Sequence, residues 1–82
     1  MTVDTTPAVR PLYEIADEIV GDWSKPSIHA QPYIEAMQSL GSIDDTFWLD
    51  SARSVVVYFL ANAQGWRGDT ARRIKKELNA ML

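Results

Sequence analysis

Apolar side chains recur at helical spacing in four stretches of the chain, and the punctuation between them predicts four helices. From Pro11 to about Trp23, the residues Leu12, Ile15, Ala16, Ile19, Val20 and Trp23 form one stripe with spacings of three and four. Proline suits a first helical position, where the missing N–H has no intrahelical role. The second helix is shorter, from about Pro32 to Leu40, with Tyr33, Ala36, Met37 and Leu40 as its stripe. Gly41 is placed to close it with a left-handed C-cap. Ser42 to Trp48 reads as a connector that Ile43, Phe47 and Trp48 anchor to the core.

The third stretch is ambiguous. Val55 to Leu60 is β-branched and aromatic, which locally suits a strand. The run sits inside a longer segment, Asp50 to Gln64, in which Ala52, Val55, Val56, Phe59, Leu60 and Ala63 keep helical spacing. Asp50 is a candidate N-cap. No second strand-like run is available to pair with it, and a lone strand would leave its backbone groups unpaired. A helix is therefore predicted. Its back carries Val57, Tyr58 and Ala61, so it is apolar nearly all round. Such a helix is either central to a bundle or gives half its surface to another chain.

The fourth helix runs from about Asp69 to the C-terminus. Ala71, Ile74, Leu78, Met81 and Leu82 fall on one side, and Arg72, Arg73, Lys75 and Lys76 fan across the other. Trp66 is expected to reach back into the core. The fold class this predicts is all-α, a small helical bundle of four helices with the second short and the third most buried. It would form one domain over residues 10–82, after a flexible N-terminal tail over 1–9. A chain of 82 residues buries only about 60–65% of its unfolded surface, so modest stability is expected.

Charge adds a polarity along the chain. Residues 1–50 hold nine acids and two bases, whereas residues 51–82 hold two acids and six bases, giving −3 in all. Either the C-terminal part offers a basic surface to nucleic acid or a partner, or an acidic and a basic helix lie side by side. The acids of the first helix are Glu14, Asp17, Glu18 and Asp22, a solvated face or a docking face for a basic partner. The cations Arg67, Arg72, Arg73, Lys75 and Lys76 lie within ten residues beside Trp66. They form a solvated face, a protein contact or a track for a phosphate backbone. The pI near 4.9 weighs against the last, as does a helix start without base-reading Asn or Gln.

Three groups of residues resemble a known set of proteins. They are Pro32-Tyr33-Ile34-Glu35-Ala36-Met37, then Asp50-Ser51-Ala52-Arg53-Ser54 leading into Val57-Tyr58-Phe59-Leu60-Ala61-Asn62-Ala63, then Trp66-Arg67-Gly68 with Ala71-Arg72-Arg73-Ile74-Lys75. Over about Leu12 to Leu82 the chain resembles small uncharacterised helical proteins of actinobacteria and their bacteriophages. The resemblance implies a phage origin and the host cytoplasm as the setting. It supplies no activity.

Candidate chemistry is sparse. His29 is the single histidine, between Pro26 and Pro32, with Ser24 and Ser27 near in sequence but no nucleophile motif. It reads as structural or incidental. Asp44, Asp45 and Asp50 lack the spacing of a calcium loop, and Gly21, Gly41, Gly65 and Gly68 form no phosphate-binding pattern. With no cysteine there is no thiol nucleophile, thiolate zinc site or disulfide, which favours a cytoplasmic setting. The longest apolar stretch, Val55 to Ala61, is far short of a membrane span. No cofactor and no metal are expected. The leading expectation is a non-enzymatic protein-interaction module acting on a host protein, with self-association through Val57, Tyr58 and Ala61. The alternative is a small nucleic-acid-binding protein using the basic fourth helix.

Overall fold

Four helices form in the four predicted stretches of the computed structural model, which describes residues 9–82. The expected tail over 1–9 therefore lies, except for Val9, outside the described residues. Helix α1 spans Leu12–Asp22, α2 Gln31–Met37, α3 Ala52–Ala61 and α4 Asp69–Met81. A two-residue hairpin, β1 Thr46–Phe47 and β2 Asp50–Ser51, precedes α3. The fold is thus mostly helical but not purely so.

The four apolar stripes meet in one core. Leu12, Ile15 and Ile19 of α1, Met37 of α2, Val56 and Phe59 of α3, and Ile74 and Leu78 of α4 are all fully buried there. Helix α2 packs against both α1 and α3, and α1 packs against α4. Among the described residues no buried side chain is polar or charged. Apolar burial at roughly 25 cal/mol per Å² is accordingly the main source of stability.

Several expectations are corrected in detail. Pro11 is the N-cap of α1 rather than its first helical residue. The orphan amides of its first turn find backbone acceptors, Leu12 N–H donating to Gly41 O at 2.8 Å and Tyr13 N–H to Leu40 O at 2.9 Å. This places Leu40 and Gly41 outside α2, which ends at Met37 and tapers through tight turns from Ser39 to Ala36 and Leu40 to Met37. Gly41 is not left-handed; the positive-φ glycine is Gly68, at 109°, the N-cap of α4. In α2 it is Ile34 that is buried, with Tyr33 only partly so. Val20 of the α1 stripe is half-exposed, because the apolar arc is wider than the contact with the core.

Val55 to Leu60 is helical, as the longer period predicted. Ser51, not Asp50, caps α3, its Oγ accepting from Ser54 N–H at 3.1 Å. Asp50 instead pairs with Phe47 in the hairpin. Helix α3 is not buried all round, and with four of its ten residues buried it is no more buried than α2, with three of seven. Ala52, Val55, Val56 and Phe59 face the core, whereas Val57, Tyr58 and Ala61 stay exposed and Leu60 is intermediate.

The connector anchors by Ile43 and Phe47, which pack on the core, but not by Trp48. Trp48 is 86% exposed and adopts φ 58°, at the first central position of a two-residue turn. Such turns demand positive φ and normally use Gly, Asn or Asp. Trp48-Leu49 carries no such signal, which is why the pattern of the chain does not reveal the hairpin.

Candidate protein-interaction surfaces

Helices α1 and α4 bring the acidic and basic residues together. Arg10, just before α1, is the link. Its Nη1 pairs with Glu18 Oε1 at 2.9 Å, and its Nη2 and Nε donate to the two carboxylate oxygens of Glu77 at 2.7 and 3.0 Å. The other oxygen of Glu18 accepts from Arg73. Hydrogen bonds from Arg73 first, and then from Arg10, hold the Glu18 carboxyl below the usual carboxylate range. Hydrogen bonds to Glu77 first, and then to Glu18, raise the affinity of Arg10 for its proton.

The remaining basic residues divide into engaged and open ones. Lys75 donates to Trp66 O at 2.7 Å and lies 6.0 Å over the Trp66 ring, a cation–π distance. Partial burial, helped by the nearby charge of Arg67, pushes its amine pKa down. Arg72 pairs with Asp69 one turn earlier. Arg67 and Lys76 are exposed and form no ion pair among the described residues.

The acidic face is likewise split. Asp22 accepts from Trp66 Nε1–H at 2.8 Å, which seats Trp66 against the core. There Trp66 stacks on Trp23, with ring centres 5.8 Å apart and planes 7° apart, while Phe59 meets both rings edge-on. Glu14 and Asp17 point to solvent.

The outer face of α3 is a patch of a different kind. Val57 and Tyr58 are half-exposed, and Ala61, one turn on, is exposed. Tyr33 of α2 lies against Tyr58, ring centres 5.7 Å apart, so α2 covers one flank of the patch only. A groove of about 400 Å³, open to solvent, is lined by Val20, Pro26, Gln31, Ile34, Glu35 and Gln38. Glu35 is its one titratable group, with no base or nucleophile beside it. His29 is exposed in the turn before α2, and no three metal-ligating side chains converge among the described residues.

Two features of the surface have no signature in the local sequence pattern. Arg10 and Glu77 lie 67 positions apart, and no local pattern pairs them. The Trp48–Leu49 turn projects two large apolar side chains into solvent, Leu49 fully. The one signal in the sequence is a pair of bulky apolar residues, Trp48 and Leu49, set among Asp44, Asp45 and Asp50. No family model, curated protein or solved structure matches this chain.

Proposed function

We propose that this chain is a non-enzymatic protein-interaction module that works through the outer face of α3. The observation that carries the reading is the division of its surface. Arg73, Lys75, Glu18 and Asp22 are engaged in holding α1, α4 and Trp66 together, whereas Val57, Tyr58 and Ala61 lie exposed beside Tyr33. Leaving such a patch wet forfeits part of the ~1.5–3 kcal/mol that each large apolar side chain contributes when buried. A two-fold pair of copies would set this patch against itself. Tyr58 suits that role, because its ring can be buried while its hydroxyl keeps a partner. The resemblance to small proteins of actinobacteria and their phages extends the proposal to a phage-encoded protein that acts on a host protein in the host cytoplasm. Light scattering at micromolar concentration tests the contact: a mass of two chains supports it, and 9.2 kDa throughout rejects it.

A second reading, nucleic-acid binding along α4, is favoured by Arg67 and Lys76, which are exposed and have no ion-pair partner among the described residues. A gel shift on random DNA that fades as salt is added would support it. Absence of any shift at low salt would dismiss it.

A further inference from the structure

We infer that the Trp48–Leu49 turn is a preorganised wedge for a protein partner whose apolar surface is edged with Lys or Arg side chains. This rests on the reading of the chain as an interaction module, but it uses a surface other than the outer face of α3. Two large apolar side chains stand at the tip, one 86% exposed and the other fully so. The fold gains little burial from them. Trp48 also sits at φ 58°, a left-handed conformation that L side chains resist and that glycine or asparagine accepts readily. Folding alone therefore accounts for neither residue, and an anchor on a strained, rigid turn is a recurrent form of binding site.

The base of the turn is held firmly. Asp45 Oδ2 accepts from the backbone N–H of Gly41 at 3.0 Å and of Ser42 at 2.8 Å, and Asp45 O accepts from Ala52 N–H at 2.8 Å. Phe47 packs on the core from within the same hairpin. Arg53 joins Asp44 to the end of α4 by donating to the carbonyls of Met81 and Leu82. The backbone beneath the tip thus carries little ordering entropy to lose on binding.

Charge selects the partner. The segment from Ser42 to Ser51 holds Asp44, Asp45 and Asp50 and no base. Arg53 meets Asp44, the carboxylate of Asp45 binds backbone, and Asp50 has no ion pair among the described residues. The field around Trp48 and Leu49 is negative, which attracts a cationic rim and repels phosphates, whether of nucleic acid or of anionic lipid.

The test titrates the isotope-labelled full chain, with and without Tyr58→Glu, using a short amphipathic peptide of Leu and Lys at helical spacing. Resonances of residues 44–51 and the indole N–H of Trp48 should shift, while the indoles of Trp23 and Trp66 stay. Trp48→Gly with Leu49→Ser should weaken binding about tenfold or more, the loss expected of a central anchor. Equal binding by that variant overturns the inference, as does equal binding of the peptide with Glu for Lys. Shifts confined to Glu14 and Asp17 would reassign the contact to the charge of α1. Phosphatidylcholine vesicles that move the Trp48 indole as strongly as the peptide would make the tip a lipid wedge instead. Failure of the α3 contact appears in the mass of the chain, not in this titration.

Discussion

Replacing Arg10 with methionine would remove the charge that ties α1 to α4 while keeping an apolar stem of similar reach. The Arg10–Glu77 pair is bidentate, and its side chains are only 26% and 27% exposed. Fully exposed pairs contribute ~0.2–1 kcal/mol, whereas hydrogen bonds to charged groups contribute ~1.5–3 kcal/mol. A partly exposed bidentate pair with a second acid, Glu18, on the same guanidinium falls between these, so the loss should be about 1–2 kcal/mol. Removing Arg10 also leaves Glu77 without a cationic partner among the described residues. In urea, with a slope near 1 kcal/mol per M for so small a chain, the midpoint should fall by about 1–2 M. The melting temperature should drop by about 4–8 °C for each kcal/mol. Arg73→Gln, measured alongside, should cost under about 1 kcal/mol because its side chain is 54% exposed. Arg10→Met within about 0.3 kcal/mol of the parent, or cheaper than Arg73→Gln, would refute the reasoning.

Three further outcomes follow from particular side chains. Trp48→Gly should raise stability by about 0.5–1 kcal/mol, because relief of the left-handed strain exceeds the extra entropy of glycine; a lower urea midpoint would contradict it. Trp66→Phe should cost about 1–3 kcal/mol in thermal unfolding, since it breaks the bond to Asp22 and leaves that carboxylate without its indole partner. The Glu18 carboxyl is held below the usual carboxylate range, so its contribution is fully present above that range and is lost as pH falls through the lowered folded pKa. Acid unfolding followed in the parent and in Arg73→Gln should show a shallower decline in the variant over that window.

The helices were legible because each carries a stripe whose period survives local exceptions. Val55 to Leu60 shows this best, since β-branched composition gave way to the spacing of Ala52, Val56, Phe59 and Ala63 around it. Helix ends were less legible. Gly41 looked like a C-cap, but its carbonyl and that of Leu40 satisfy the start of α1, a partnership that only tertiary structure creates. The hairpin was hidden because Trp48 occupies a backbone position that composition assigns to glycine or asparagine. The charge asymmetry left open a basic surface or two apposed helices; Arg10 and Glu18 bring α1 and α4 together, while Arg67 and Lys76 still face solvent. No local pattern singles out Arg10, whose partners lie 8 and 67 positions away.

The outer face of α3 as a protein contact is most directly tested by the mass of the chain in solution. Light scattering on the parent and on Tyr58→Glu, across micromolar concentrations and paired with circular dichroism, gives the answer. Twice 9.2 kDa is expected for the parent, and 9.2 kDa for a variant with unchanged helical signal. A parent of 9.2 kDa at every concentration, or a dimer that Tyr58→Glu leaves intact, would contradict it.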